Sequence, residues 1–354
     1  MRSSPPSSSR QGFGRGRFRG VQILERLDQL AAIGDRIGYS AEENAAHDLA
    51  AGWFREAGLV VEVDAAGNLI GRIPGGKRQV WTGSHLDTVP DAGRFDGTLG
   101  VVAGLEAVAA LALPGLGVVV FRDEERGCAG SRGCTALPDA YVELHIEQGP
   151  TLLRADAPLG VVTGIVGYSR GRRTFTGTAG HAGTTPMDVR DDALVQAAEF
   201  VLHARDVARG IEGAVATVGQ VSVAPGGTNV IPGRVVLSVD ARAPDVERLD
   251  RLVAALELEE PSRIEPSPMA EEIRAVLRAE VEALGLPVLE LPSGAGHDAG
   301  ILAAAGVPSG MLFVRSLNGG ISHNPAELSS PEDIALAVDA LTGALRRLAG
   351  EPET

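Results

Sequence analysis

VWTGSHLDTVPDAGRFDGTLGVVAGLEAVAALALPGLGVVVF, residues 80–121, reads as an apolar run, a polar turn, a long Ala- and Leu-rich stretch and a second apolar run. The first run, Val80 to Gly83, and the last, Gly117 to Phe121, are short and rich in β-branched residues, whereas Gly97 to Leu113 suits a helix. Strand, helix and strand in that order indicate an α/β sheet flanked by helices.

Outward from this unit the alternation continues. Apolar residues from Ile23 to Ile33 recur at helical spacing, and Ser40 with Glu43 forms a capping box that opens a second helix through Trp53 and Phe54. Leu59 to Val63 and Leu69 to Ile73 read as strands, as do residues 141–146 and 159–166. From Arg170 the texture changes to strand (to Thr178), helix (191–208), strand (214–223), strand (233–242) and helix (245–257), a self-contained β-α-β-β-α unit of α+β type. Glu259 to Pro268, with three prolines and mixed charge, reads as a return linker. Helix 269–284, strand 287–291, helix 297–305, strand 309–314 and helix 331–348 then resume the first alternation. The expected organisation is a discontinuous domain of residues 21–166 and 263–354, with a smaller domain, 167–262, inserted.

The chain has 354 residues, 44% of them apolar, enough to bury a full core. A formal charge of -14 repels nucleic acid and anionic membrane surfaces. No run reaches the roughly 18 apolar residues of a membrane span, and no secretory signal core opens the chain, so a cytoplasmic protein is expected. Cys128 and Cys134 are the only cysteines, which excludes a disulfide framework and suggests two reduced thiols. Residues 1–20 carry five Arg, five Ser and no acid, and read as a disordered leader. A transit peptide or an RNA-touching tail is the other reading of that segment.

Four segments could carry chemistry. In Gly83-Ser-His-Leu-Asp a strand ends in His85 and Asp87, and Asp96 opens the next helix; ligands at the C-terminal ends of strands lie where α/β sheets present their sites. Asp87, two residues from His85, can orient a ligating imidazole. In Val118-Val-Val-Phe-Arg-Asp-Glu-Glu an apolar strand runs into Asp123, Glu124 and Glu125, whose mutual repulsion a cation would relieve. One of such a pair can ligate while its neighbour moves a proton. Val142-Glu-Leu-His-Ile-Glu-Gln-Gly149 puts Glu143, His145 and Glu147 on one side of a strand, and Gly319-Gly-Ile-Ser-His puts His323 in a Gly-rich turn. Each segment alone also reads as a helix cap, an acidic turn or a structural histidine. Together they place three His and several carboxylates at strand ends of one sheet, a donor set that suits Zn, Mn, Co or Ni rather than a structural Cys site.

These segments, in this order, resemble the aminoacylase and carboxypeptidase-G group of two-metal hydrolases. The stretch HIEQGP points to its ureide branch of allantoate amidohydrolases, N-carbamoyl-L-amino-acid hydrolases and β-ureidopropionases. GTAGHAGTTPM (Gly177 to Met187), GGTNVIPG (Gly226 to Gly233), SVDAR (Ser238 to Arg242) and SGAGHDA (Ser293 to Ala299) extend the resemblance over residues 25–349. It implies a zinc-exopeptidase-like catalytic domain with a mixed sheet, the inserted domain serving as lid and dimerisation domain. It also implies two divalent metals per subunit: His85 and His145 on one, Glu125 and His323 on the other, and Asp96 bridging both. Glu124 becomes the general acid/base, Asp87 the partner of His85, and His181 and Asn229 the oxyanion donors, with His181 reaching across a homodimer. Arg242 becomes the clamp on the substrate carboxylate, with Gln148 lining the same pocket. The role of His297 stays open; it could cap the helix after Gly296. His47 and His203 fall within helices and outside every motif.

The implied reaction is hydrolysis of a linear amide or ureide C–N bond in a small molecule, with neither nucleic acid nor membrane as partner and with lid closure about Val166 to Tyr168 and Glu259 to Pro268. A dipeptidase, an N-acyl amino acid deacylase and a non-catalytic metal- or metabolite-binding protein are the alternatives. One departure bears on the substrate: only 20 positions separate Glu125 from His145, where ureide enzymes carry a longer connection.

Overall fold

The structure, a computed structural model, describes residues 13–350 and divides into two compact units. One comprises residues up to Thr163, Met269–Leu291 and the chain from His297, and the other Gly164–Pro268 with Pro292–Gly296.

The first unit is built on a mixed sheet in which strands Val60–Val63, Leu69–Arg72, Leu116–Phe121, Val80–His85, Ala140–Ile146, Ser309–Val314 and Leu159–Ile165 are neighbours in that order. The four central strands, 116–121, 80–85, 140–146 and 309–314, run parallel to one another. All four are buried along their whole length, which explains their continuous apolar runs in place of alternation. Strands Leu69–Arg72 and Leu159–Ile165 flank them antiparallel. Helix Thr98–Leu111 buries Leu99, Val101, Val102, Leu105 and Val108 and packs with helices Phe13–Ala31 and Pro331–Leu348. Replacing Leu99 by Ala would cost about 2–5 kcal/mol.

Helix Phe13–Ala31 begins ten residues before the apolar periodicity that announces it, so residues 13–20, read as part of a disordered leader, are helical. Once Ile23, Leu27 and Leu30 are buried, extending the helix adds one bond per residue fixed, which is far easier than nucleating a new one. The rest of that leader, residues 1–12, lies outside the described residues.

The second unit is a four-stranded antiparallel sheet in the order Glu259–Ile264, Gly167–Thr176, Arg234–Ala243, Val215–Ala224. Helices Ala193–Arg209 and Val246–Leu256 cover one face, where Ala197, Phe200, Val235, Leu237, Val239 and Leu252 form the core. Residues 259–264, expected as linker, are an edge strand. An edge tolerates proline because one side of the strand needs no donor, and Pro261 falls in the register shift between Glu259 and Ser262. Among the described residues no helix is long and apolar enough to cross a membrane.

Candidate active site

The four parallel strands bring the chemistry-bearing segments to one end of the first unit. His85 closes strand Val80–His85, Glu124 and Glu125 follow strand Leu116–Phe121, His145 lies near the end of Ala140–Ile146, and His323 follows Ser309–Val314 in a loop. Ligand atoms of His85, Asp96 and His145 lie within 4.8 Å of one another, as do those of Asp96, Glu125 and His323. Asp96 belongs to both groups. Its Oδ1 is 3.2 Å from His145 Nε2 and 3.8 Å from His85 Nε2, and its Oδ2 is 3.3 Å from His323 Nε2. His323 Nε2 is also 3.3 Å from Glu125 Oε2.

Asp96 is held from behind. Its N–H and that of Phe95 donate to Glu327 Oε1, at 3.0 and 2.8 Å. Ser322 Oγ has one proton to give and two carboxylate oxygens in reach, Glu327 Oε2 at 2.8 Å and Asp96 Oδ2 at 3.2 Å. Asp96 was expected to open the next helix, but the helix starts at Thr98 with Gly97 as its N-cap. Gly97 has φ +64, and a Cβ there would sit 2.4 Å from Cε1 of His85; the backbone passes where only glycine fits.

Asp87 accepts the N–H groups of Glu124 and Glu125, at 3.1 and 3.0 Å. Its Oδ1 lies 3.4 Å from Nδ1 of His85, whose closer contact is the Asp87 carbonyl at 3.1 Å. Glu124 Oε2 stands 3.7 Å from His85 Nε2. Burial pushes the Glu124 carboxyl well above the usual range; His85 opposes this and the charges of Asp298, Glu125 and Asp96 add to it. His323 is pushed up to about 10 by its bonds to Asp96 and Glu125. Asp96 is buried, which alone would raise its pKa, but bonds to His145 and His323 hold it well below the carboxylate range. The arrangement fits divalent cations: borderline imidazole and hard carboxylate donors, without thiolate, crowd acids into a buried corner.

Gln148, expected in the substrate pocket, donates from Nε2 to Asp96 Oδ2 at 2.8 Å and to Ser322 Oγ. His297 makes no cap bond through its side chain; its ring meets that of His145 edge-on at 4.4 Å and lies 6.0 Å from Phe313. Glu143 accepts from Ser84 Oγ and the Ala299 N–H, whereas Glu147 accepts the N–H groups of Thr151 and Leu152 and stays out of the cluster. Glu327 was missed, since a lone Glu beyond Asn-Pro has no motif of its own. Cys128 and Cys134 are free and buried.

In the second unit, His181 pairs with Val230 across a short two-stranded ladder, and the Ala182 N–H donates to Asn229 O at 3.0 Å, so His181 and Asn229 are neighbours. The Gly183 N–H donates to His181 Nδ1. Arg242 donates to both carboxylate oxygens of Asp240 and from Nη1 to Gly294 O. Its guanidinium lies 5.7 Å from the Tyr168 ring centre.

A parallel-centred sheet that gathers two overlapping His and carboxylate groups at its strand ends defines a metal-dependent hydrolase. The chain belongs to Peptidase family M20/M25/M40, whose sequence pattern matches residues 81–347. It is 37% identical to an N-carbamoyl-L-amino acid amidohydrolase of Geobacillus stearothermophilus, over 94% of this chain and 99% of that protein. To an allantoate deiminase of Arabidopsis thaliana it is 30% identical, over 89% and 80% of the two chains. A solved amidase of the hydantoinase/carbamoylase family from Burkholderia multivorans superposes with a TM-score of 0.84 at 33% identity, covering 94% of this chain and 98% of that one. The fold, the family and the hydrolase class expected from the sequence are therefore established.

Proposed function

We propose that this chain hydrolyses the ureido C–N bond of an N-carbamoyl-L-amino acid or of allantoate, with two divalent cations, Zn or Mn and alternatively Co or Ni, per subunit. The observation that carries the reading is Asp96, whose two carboxylate oxygens face two separate ligand groups. His85, His145 and Asp96 would hold one cation, and Glu125, His323 and Asp96 the other. When bound, such cations polarise a carbonyl and bring the pKa of an attacking water towards neutrality.

Glu124 takes the proton from that water and returns it to the leaving nitrogen. Burial strengthens the hold of the Glu124 carboxyl on a proton, which suits the step in which it acts as acid. Asp87 fixes the direction of Glu124 through the backbone. His181, with Nδ1 occupied by Gly183, has Nε2 left for the oxyanion, and Asn229 beside it supplies a second donor. Arg242 meets the substrate carboxylate in competition with Asp240, and Gln148 orients Asp96 at the pocket edge. Cleavage yields the amine and a carbamate, which breaks down to carbon dioxide and ammonia.

A homodimer with His181 acting across the interface is supported by the apolar surface of the second unit. Edge strand Val215–Ala224 exposes Val215, Val221 and Val223, and helix Ala193–Arg209 exposes Val195, Val201 and Leu202. A chain that exposes so much apolar surface has a use for a partner. Free thiols and strong negative charge agree with a cytoplasmic enzyme acting on small molecules.

The test is ammonia release by Mn- or Zn-reconstituted protein from allantoate and a panel of N-carbamoyl-L-amino acids. Turnover of any member supports the reading, and the preferred one names the substrate. Silence across the panel, with N-acyl amino acids or dipeptides cleaved instead, overturns it.

A further inference from the structure

We propose that Glu43 is a positioning residue for the acidic strand end: it grips the backbone of Asp123 and so sets the directions in which Glu124 and Glu125 leave the sheet. The inference rests on the reading of Glu124 and Glu125 given above.

Glu43 lies in the first turn of helix Ala41–Glu56 and is fully buried. Ser40 and Glu43 have the spacing of a capping box, but only half of one forms. Ser40 Oγ accepts the Glu43 N–H at 3.1 Å, whereas the Ser40 N–H donates to Ile37 O at 2.9 Å and not to the Glu43 carboxylate. That carboxylate leaves its own helix. Oε1 accepts the Asp123 N–H at 3.1 Å; Oε2 accepts Arg122 Nη1 at 2.8 Å and the Tyr39 N–H. A buried carboxylate with this many donors is fully committed, and its bonds are of the strong, charge-assisted kind.

What it holds is an unusual piece of backbone. Asp123 has φ +53, a left-handed conformation that costs a residue with a Cβ more than it costs glycine, though Asp enters it more readily than most. The next two N–H groups, of Glu124 and Glu125, are taken by Asp87. Three successive peptide groups are thus gripped by two buried carboxylates from different parts of the chain. The far side is closed as well: Asp123 Oδ1 accepts Arg126 Nε at 2.7 Å, and Arg126 Nη2 reaches Gly38 O at 2.8 Å. A Cβ at Gly38 would lie 1.8 Å from Asp123 Oδ1. A strand entering this turn with ordinary φ would carry the two following side chains in other directions, and neither would face Asp96 and His85.

The experiment compares full-length wild type, Glu43→Gln and Glu43→Gln/Asp123→Gly, each measured for kcat and KM on the best N-carbamoyl-L-amino acid, for Mn2+ affinity by titration calorimetry and for Tm. Gln puts an amide N–H2 where the carboxylate accepts, so kcat should fall about 10–100-fold, the cost of losing a group that orients ligands. KM should stay within about threefold, because substrate binding is not the target. One of the two Mn2+ equivalents, that of Glu125, should weaken by about tenfold or more while the other is kept. Asp123→Gly should recover most of the kcat and Mn2+ losses, since glycine takes φ +53 without being held there. If Glu43→Gln does not fold, Glu43→Asp replaces it, keeping the charge opposite Arg122 but falling short of Asp123. A folded variant with wild-type kcat and both Mn2+ affinities intact overturns the inference. So does a loss of Tm, kcat and both affinities together that Asp123→Gly leaves unchanged, which would make Glu43 a packing residue. If wild type hydrolyses nothing on the panel, the proposed function fails, and the Mn2+ titrations still decide the role of Glu43.

Discussion

The Nε2 of His145 lies 3.2 Å from Oδ1 of Asp96, and both side chains are buried at the sheet end. Because Asp96 Oδ2 faces His323 in the same way, one side chain joins the two ligand groups. Replacing Asp96 by Asn should therefore weaken both cations, unlike His85→Ala or His323→Ala, which should each weaken one. Counting Mn2+ per chain by calorimetry and elemental analysis checks this: about two for wild type, about one for each histidine variant and near zero for Asp96→Asn.

Asp87 lies closer to the backbone N–H groups of Glu124 and Glu125, at 3.1 and 3.0 Å, than to His85 Nδ1, at 3.4 Å. Asp87→Asn turns one acceptor into a donor facing the N–H of Glu124 or Glu125, leaving a buried donor unpaired. The expected loss is about 1–3 kcal/mol of stability together with about 10–100-fold in kcat. Urea unfolding and steady-state kinetics measure the two effects. Unchanged stability with lost activity would mean that the bond to His85 is the one that matters.

Gly97→Ala should be far more harmful than an exposed glycine change, because φ is +64 and the new Cβ would meet the His85 ring. Mn2+ binding by the His85 group should fall sharply. Gly285→Ala, at φ +74 with open space around it, is the comparison: it should cost backbone strain of about 1–2 kcal/mol and leave metal binding intact.

The acid limb of stability should carry the mark of His47. This imidazole is buried, and burial with the nearby Arg122 charge lowers its pKa from 6.5 to about 3, a proximity of Asp87 opposing. The unfolded chain takes up the proton below about pH 6.5 while the folded chain refuses it until about 3, so the contribution of His47 is whole above 6.5 and is lost as pH falls between those values. The slope is about 1.4 kcal/mol per pH unit. His47→Leu should remove that share, and urea unfolding of both proteins at pH 7, 6 and 5 would show the gap between them closing in favour of the variant as pH falls.

Much of this site could be read before the structure because it uses a simple rule: buried parallel strands are apolar until they end, and the residues at the end are polar for a reason. His85, Glu124, Glu125 and His145 all stand at such transitions, and the structure brings them together with Asp96 and His323. The regular alternation of the first unit was legible for the same cause. Edge strand Glu259–Ile264 was not, since its one proline, Pro261, and its charges are what an edge tolerates and a linker prefers. Three left-handed residues around the site, Asp123, Gln148 and His323, leave no trace in hydrophobic period, because none is glycine. Gln148 thus turns its amide onto Asp96, and Glu43 reaches past its own helix cap to Asp123. Such long-range polar pairings depend on the packed backbone and are invisible to local pattern.

In the proposed reaction Glu124 moves the proton while its neighbours hold the cations. The most direct measurement is Glu124→Gln, reconstituted with Mn2+ and assayed for bound metal and for ammonia release from the preferred ureido substrate. About two Mn2+ per chain are expected, as in wild type, with turnover reduced by about 10²–10⁴-fold, the usual worth of a positioned acid/base. Turnover within a few-fold of wild type, with metal retained, would contradict it.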